Sequence, residues 1–253
     1  MSHGNQNTIE KVVSIYGIGV HSGAPATLSF HPAEPDTGLR FIRTDLEGSP
    51  EIPVDLDHVV GTDLGTSLGE GEVRILTVEH VLAALAARDI QNAVLELSGP
   101  ELPILDGSFQ GYMEILEEAG IQEQDPAKAV IQIPEPITVE LPSGEFYVAA
   151  PGKGLRISAT IEFDHPAIGR QFGTFYFGED SFLQEIAPAR TFGFKTDADG
   201  LHARGLALGA SLENTVVMDD EGVLNEELRF SDEFLRHKVG DMVGDLSLLG
   251  ASL

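Results

Sequence analysis

Residues 236–246 read Arg-His-Lys-Val-Gly-Asp-Met-Val-Gly-Asp-Leu, and they lie within a helix that we predict from about Ser231 to Leu249. On this helix His237 and Asp241 are spaced i,i+4, so an imidazole and a carboxylate share one face about one turn apart. The apolar residues form a separate stripe of Leu235, Val239, Met242, Leu246 and Leu249. The polar pair is therefore either half of a metal site or an ordinary solvated face, and this helix alone leaves both interpretations open.

A second predicted helix, from Thr77 to Arg88, carries Glu79 and His80 in its first turn, with Thr77 as the N-cap. Two histidines and one aspartate would form a catalytic zinc set that leaves one coordination position open for water. A carboxylate beside a ligand can serve as a general base towards that water. The alternative is electrostatic, because Glu79 also suits the positive end of the helix dipole.

The composition narrows the classes of function. Cysteine is absent, so metal ligands have to be His, Asp or Glu. Acidic residues outnumber basic ones by 41 to 15, and the net charge of −26 disfavours nucleic-acid binding, which needs clustered Lys and Arg. We hypothesise that the source cell has a salty cytoplasm, in which acidic surfaces are screened. With no signal-peptide pattern and no apolar run of transmembrane length, we expect a cytoplasmic protein.

The chain of 253 residues is long enough for one large domain or two ordinary ones. Gly, Pro and polar residues at 120–128 predict a linker between two strand-rich halves. Each half has one ligand-bearing helix, and this similarity suggests an internal structural duplication. Residues 57–72 predict an irregular loop or small hairpin. Further helices are predicted from Asp106 to about 118 and near 180–186. Strands are predicted near 12–15, 26–30, 39–43, 92–97, 129–133, 136–141, 145–150, 155–162, 173–177 and 214–218.

Two other segments have a structural and a functional interpretation. Residues 17–23 are rich in glycine, but no Walker lysine follows, so a turn between strands is favoured over a phosphate loop, while His21 could still face a site. Residues 189–194 place a hydroxyl, Thr191, beside Phe192 and Phe194. The aromatic rings could pack in the core, or Thr191 could donate to an oxyanion while Phe192 stacks on a base.

Taken together and in this order, the motifs closely resemble those of the UDP-3-O-acyl-N-acetylglucosamine deacetylases, the zinc amidases of lipid A biosynthesis. The resemblance runs from about residue 8 to residue 250 and rests on 19–23, 77–80, 99–108, 189–194, 211–214, 223–226 and 236–246. It implies an α+β fold of two similar domains, each a small sheet layered with helices, with the active site between the helical layers. The domains would be 1–125, with an insertion near 57–72, and 126–253, with an insertion near 193–213.

The resemblance also implies a role for each matching residue. The zinc ligands would be His80, His237 and Asp241. Glu79 would be the general base, Thr191 would help to polarise the amide carbonyl, and Asp245 would orient a catalytic histidine. The substrate would be a UDP-linked, acylated N-acetylglucosamine whose nucleotide part contacts Phe163, Phe192 and Lys238. The oligomeric state is left open, with a monomer expected for a complete protein.

One expected element has no counterpart in this sequence. In the family a histidine in a Ser-Gly-His setting follows the long helix, with a final strand and helix, whereas this sequence ends at Leu253. From the sequence we therefore expect Asp245 to lack its partner, a rate about 10²–10⁴-fold below the family's, and poor stability or self-association. The alternatives are a weakly active or non-catalytic zinc-binding relative that binds a nucleotide sugar, and a zinc amidase for another N-acetyl sugar.

Overall fold

The computed structural model describes residues 4–253. The helices are α1 (Glu79–Ala87), α2 (Gln110–Ala119), α3 (Glu179–Ser181), which continues into a π-helical turn at Phe182–Ile186, α4 (Ala198–Ala203) and α5 (Glu233–Ser247); single 3-10 turns lie at Leu56–His58 and Lys195–Asp197. The strands are β1 (Asn5–Ile9), β2 (Val13–Ile18), β3 (Pro25–Pro32), β4 (Leu39–Arg43), β5 (Glu51–Pro53), β6 (Val59–Gly61), β7 (Ser67–Glu70), β8 (Val73–Ile75), β9 (Ala93–Ser98), β10 (Ile121–Ala127), β11 (Ile137–Glu140), β12 (Phe146–Ala149), β13 (Arg156–Glu162), β14 (Arg170–Tyr176), β15 (Phe192–Phe194), β16 (Val216–Asp219) and β17 (Gly222–Val223). The fold is α+β, as predicted.

A five-stranded sheet in the order β2-β3-β9-β4-β5 forms the framework of the first half. β4 and β9 are parallel, and the other neighbours are antiparallel. Buried residues alternate along β3 and β9, where Leu28, Phe30, Leu95 and Leu97 are almost completely inaccessible. These side chains share one core with buried residues of α1, α2 and α5. Within that core, α5 packs on α1 and on the hairpin of β13 and β14.

The starts of α1 and α2 differ from the predictions. Thr77 is not the N-cap of α1, since its backbone has φ +60° and its hydroxyl donates to buried Glu101. Asp106 does not cap α2 either, because its carboxylate accepts from the N–H and the hydroxyl of Ser108, and the helix begins only at Gln110. In both cases a loop hydrogen bond replaces the expected cap, and the helix begins two to four residues later.

Two segments near the predicted boundary between the halves were assigned wrongly. Residues 121–127 are not an irregular linker, because they form β10, which pairs with β1 in an antiparallel ribbon. Conversely, no strand forms at 129–133, where Val130 makes a single bridge to Ser252. The polar composition of 121–127 is compatible with a strand because a two-stranded ribbon leaves alternate side chains exposed. The division into domains at 125/126 stays a prediction.

The remaining sheets are small. Residues 59–75 form the antiparallel sheet β6-β7-β8, which is more regular than the loop or hairpin predicted at 57–72. In the second half, β11-β12 and β13-β14 are hairpins, and β15-β16-β17 combines a parallel with an antiparallel pair. The predicted long helix is confirmed as α5, shortened at both ends. None of the helices within residues 4–253 has the length and apolar character that a membrane span requires.

Candidate metal centre

Helices α1 and α5 cross at Gly244, and this crossing brings together the residues predicted as metal ligands. A Cβ atom on Gly244 would lie 2.1 Å from the carbonyl oxygen of Glu79, so only glycine permits the approach. Gly244 thus makes room for the backbone of α1 beside the face of α5 that carries His237 and Asp241. The same approach places His80 beside His237, with ring centroids 4.9 Å apart.

Three donor atoms converge at this crossing. His80 Nε2 lies 3.6 Å and His237 Nε2 lies 3.4 Å from Asp241 Oδ1, and the donor atoms of all three residues are within 4.8 Å of one another. His237 is 1% exposed, which excludes a solvated polar face for this side of α5. Its Nδ1 donates to the carbonyl oxygen of Ala189 at 3.0 Å, which leaves the Nε2 lone pair free for a metal.

The chemistry of this donor set fits a divalent cation. Asp241 Oδ1 is buried and has no hydrogen-bond partner, although two imidazole nitrogens face it. A buried carboxylate oxygen without a partner is costly, and a cation would remove that cost. Two histidines and one carboxylate are also ligands typical of zinc. The structure therefore supports the predicted positions of His80, His237 and Asp241 around one centre.

The protonation states also suit metal binding. Burial and the neighbouring His237 lower the pKa of His80 to about 3, and burial lowers the pKa of His237. Burial opposes the ionisation of Asp241, but His237, Lys238 and His80 together bring its pKa down to about 2. At neutral pH both imidazoles are thus neutral and the carboxylate is ionised, which are the forms that coordinate metals.

Glu79 is held beside the ligands by a backbone donor. The N–H of Thr66 donates to Glu79 Oε2 at 2.9 Å, and a Cβ atom on Gly65 would lie 2.9 Å from Oε1. Burial, and then the charge of Asp241, raise the pKa of Glu79 to about 8. A carboxyl group whose pKa lies close to neutral pH can both accept and return a proton, as a general acid–base residue must.

Asp245 has a partner that the sequence analysis did not supply. Thr66 Oγ1 donates to Asp245 Oδ1 at 2.7 Å, across 179 residues of chain. Thr66 therefore contacts both Glu79, through its backbone, and Asp245, through its hydroxyl. Burial raises the pKa of Asp245 despite this hydrogen bond. The expectation for Asp245 concerned a histidine partner, and this hydrogen bond from Thr66 leaves that expectation a prediction.

An aromatic ring that was not predicted from the sequence packs against both histidines of the centre. Phe109 is fully buried, and its ring centroid lies 4.7 Å from that of His80 and 5.1 Å from that of His237. A Cβ atom on Gly240 would meet this ring at 2.3 Å, so the second glycine of α5 makes room for Phe109. The available signal was its place directly after the 99–108 motif, at the start of α2.

The residues predicted to contact the nucleotide lie together on one side of the centre. The rings of Phe163 and Phe192 are 5.6 Å apart, and Lys238 Nζ is 5.6 Å from the centre of the Phe192 ring. Lys238 also donates to Asp241 Oδ2 at 3.1 Å, and the charge of Asp241 raises the pKa of Lys238. The Phe192 ring is 6.5 Å from that of His237, so this aromatic and cationic surface borders the donor set.

Thr191 lies between these two groups of residues. Its N–H donates to the carbonyl oxygen of Gly107, and its own carbonyl accepts from the N–H of Val216 at the start of β16. The preceding residues contact α5, and the following residue is Phe192 of the aromatic surface. The backbone is thus fixed on both sides of a hydroxyl for which the structure gives no side-chain hydrogen bond within the described residues.

Known proteins are similar in sequence to nearly the whole of this chain. The family model described as UDP-3-O-acyl N-acetylglycosamine deacetylase matches residues 6–253. A protein of Oleidesulfovibrio alaskensis named UDP-3-O-acyl-N-acetylglucosamine deacetylase is 47% identical over 98% of this chain and 82% of its own length. Proteins of the same name from Myxococcus xanthus and Bdellovibrio bacteriovorus are 45% and 46% identical, over 97% and 96% of this chain and 78% and 81% of their own lengths. Because the family model matches nearly the whole chain and these relatives are 45–47% identical to it, this protein belongs to the UDP-3-O-acyl-N-acetylglucosamine deacetylase family.

Proposed function

We propose that this protein hydrolyses the N-acetyl group of a UDP-3-O-acyl-N-acetylglucosamine, releasing acetate, as a step in lipid A biosynthesis. The observation that carries the proposal is the convergence of His80 Nε2, His237 Nε2 and Asp241 Oδ1 beside Glu79 in a chain of this family. The relatives bear the name of this reaction. Because the proposed substrate is a nucleotide-activated sugar, the cytoplasm is the proposed compartment.

The proposed cofactor is zinc, held by His80, His237 and Asp241. When bound, zinc supplies a Lewis acid that polarises a carbonyl oxygen and acidifies water. The neutral imidazoles and the ionised, unpartnered Asp241 Oδ1 support this assignment. The proton transfers and the binding of substrate are proposed for side chains of the protein itself.

Glu79 is the proposed general base. As water adds to the acetamide carbon, Glu79 takes one proton from it, and the Thr191 hydroxyl donates to the oxygen that becomes negative. When the carbon–nitrogen bond breaks, Glu79 returns its proton to the leaving amine, and the products are the free amine and acetic acid, which then loses its proton to water and is released as acetate. The raised pKa of Glu79, about 8 in the absence of metal, suits a group that takes and gives one proton near neutral pH.

Phe163, Phe192 and Lys238 are the proposed contacts of the uridine diphosphate. The exposed side of the aromatic pair offers a stacking surface for the pyrimidine ring, and Lys238 offers a positive charge to the phosphates. In a chain with a net charge of −26, such local basic groups are needed to offset the general field that an anionic substrate meets.

The proposal is tested by measuring acetate release from the UDP-linked substrate with zinc-loaded protein. Replacing Glu79 by Gln keeps the shape of the side chain but removes the base, so kcat is expected to fall by about 10²–10⁴-fold. Zinc content should stay unchanged. Exposed Glu226, replaced by Gln, is the matched control and should retain full activity.

Wild-type protein that binds one zinc ion and the nucleotide sugar, yet releases no acetate, would contradict the proposed hydrolysis. That result would favour the alternative of a non-catalytic zinc-binding relative. Release of acetate from other N-acetyl sugars, but not from the UDP-linked substrate, would instead favour a different amidase.

A further inference from the structure

Glu233 is a buried carboxylate that the proposed reaction does not use. It lies in the first turn of α5 with no exposed surface, one turn before His237. Its two oxygens accept four hydrogen bonds: from Arg190 N at 3.0 Å, Arg190 Nε at 2.8 Å, Arg190 Nη2 at 3.3 Å and the N–H of Arg229 at 2.6 Å. An ion pair with Arg190 therefore compensates the burial of the charge.

The bond from Arg190 N gives Glu233 a connection to the metal centre. The N–H of Arg190 belongs to the same peptide unit as the carbonyl of Ala189, and this carbonyl accepts from His237 Nδ1 at 3.0 Å. In a planar trans peptide the N–H and the C=O point in opposite directions, so one rigid group joins the two side chains. The resulting order is Glu233 carboxylate, peptide N–H, peptide carbonyl, His237 imidazole.

We propose that Glu233 is a positioning residue of the metal centre, acting on His237 through the Ala189–Arg190 peptide. This inference rests on the proposed metal site. Hydrogen bonds in a chain polarise one another, so a carboxylate on the N–H side makes the carbonyl a stronger acceptor for the Nδ1 proton of His237. A stronger bond at Nδ1 fixes the orientation of the ring and makes Nε2 a better donor to a metal.

The arrangement is an extended form of a common device, in which a carboxylate bonds directly to a ligating histidine. Here a peptide unit is inserted between them, and Thr191 is the next residue along the chain. The same anchor therefore fixes the backbone that leads to the Thr191 hydroxyl, and a single buried charge on α5 controls the position of both groups.

The alternative is that Glu233 only stabilises the fold through its ion pair with Arg190. The two roles are separable, because the ion pair uses the guanidinium whereas the connection to His237 uses the backbone N–H of residue 190. Arg190→Lys disturbs the paired guanidinium contacts but leaves both the carboxylate and the backbone N–H. Glu233→Gln removes the charge that polarises the peptide.

The experiment measures zinc affinity by competition with a chelator, and the stability of the metal-free proteins by urea denaturation. For Glu233→Gln we expect zinc to bind about tenfold more weakly, at the lower end of the effect of outer-shell partners because the action passes through a peptide. For Arg190→Lys we expect lower stability with zinc affinity close to that of wild type. Glu226→Gln is the exposed control.

If Glu233→Gln does not fold because the largely buried Arg190 loses its carboxylate partner, the double variant Arg190→Gln with Glu233→Gln carries the test, since it removes both charges together. Wild-type zinc affinity in either Glu233 variant, or an equal loss in Arg190→Lys, would refute the inference. His237→Ala tests the metal site independently. If His237→Ala leaves zinc binding intact, the proposed site itself is wrong, whereas an effect of His237→Ala without an effect of Glu233→Gln overturns only the role of Glu233.

Discussion

Gly244→Ala is expected to push α5 away from α1 and thereby to weaken both the fold and the metal centre. The added Cβ would lie 2.1 Å from the carbonyl oxygen of Glu79, 2.9 Å from its carbonyl carbon and 3.0 Å from its Cα. The first distance is 1.3 Å short of the 3.4 Å at which ordinary contact begins. All three atoms are backbone, so no side-chain rotation relieves the overlap, and one helix has to move.

Two opposing contributions set the size of the effect on stability. Alanine favours a helix interior over glycine by about 1 kcal/mol. Overpacking a tight contact costs about 1–3 kcal/mol, and rigid backbone on the other side points to the upper end. We therefore expect the free energy of unfolding to fall by about 2 kcal/mol, which corresponds to a decrease in Tm of about 4–8 °C for a chain of this size.

The effect on metal binding is expected to be larger than the effect on stability. His80 lies on α1, and His237 and Asp241 lie on α5, so a shift between the helices separates the ligands directly. Binding sites tolerate displacements of only about 0.5 Å. Zinc affinity is thus expected to fall by more than about tenfold.

Urea denaturation and chelator competition measure the two effects, and Gly200→Ala is the matched control. Gly200 lies in α4, where an added Cβ meets nothing within 4 Å, so its replacement should leave zinc affinity unchanged and stability equal or slightly higher. If Gly244→Ala behaves like Gly200→Ala in both measurements, the close crossing of α1 and α5 is not what assembles the centre.

Three further predictions concern residues around the centre. Phe109→Ala removes a fully buried ring that packs on both histidines, and we expect the free energy of unfolding, measured by urea denaturation, to fall by about 3–5 kcal/mol. A fall of less than about 1 kcal/mol would mean that the ring contributes little to the stability of the fold. Burial raises the pKa of Glu79 from its usual value of 4.5 to about 8 in the metal-free protein, so the fold loses stability as the pH rises from 4.5 towards 8. Metal-free Glu79→Gln should therefore be more stable than wild type at pH 8 and lose this advantage towards pH 4. A difference in stability that does not depend on pH would contradict the assignment. Burial works against ionisation of Asp106, but hydrogen bonds from Ser108 and Arg229 outweigh it and hold the pKa of Asp106 below its usual value of 3.8. Wild type should therefore be more stable than Asp106→Asn at neutral pH and lose that advantage as the pH falls through the lowered pKa. An advantage that persists in strong acid would be the contrary result.

Local periodicity was sufficient to predict the elements on which the centre is built. The i,i+4 spacing of His237 and Asp241 is a property of any α-helix, so recognising α5 already places the two side chains on one face. Strand β4 was predicted with its observed bounds, because an apolar alternation between turn residues identifies a strand locally. The prediction of a linker at 121–127 was wrong because its polar side chains give no such pattern. Its pairing with β1 involves residues more than a hundred positions away, which local periodicity does not detect.

The sequence by itself therefore determined the α+β class, the two ligand-bearing helices and the donor types, because these depend on residue identity and short-range spacing. Only the tertiary structure decided how the donors meet and what orients them. Gly244 packs against the backbone of Glu79, and the hydroxyl of Thr66 donates to Asp245. The carbonyl of Ala189 accepts from His237 and so orients its ring. These partners lie far apart in the chain, and a backbone carbonyl or a missing side chain carries no local pattern that a sequence can display.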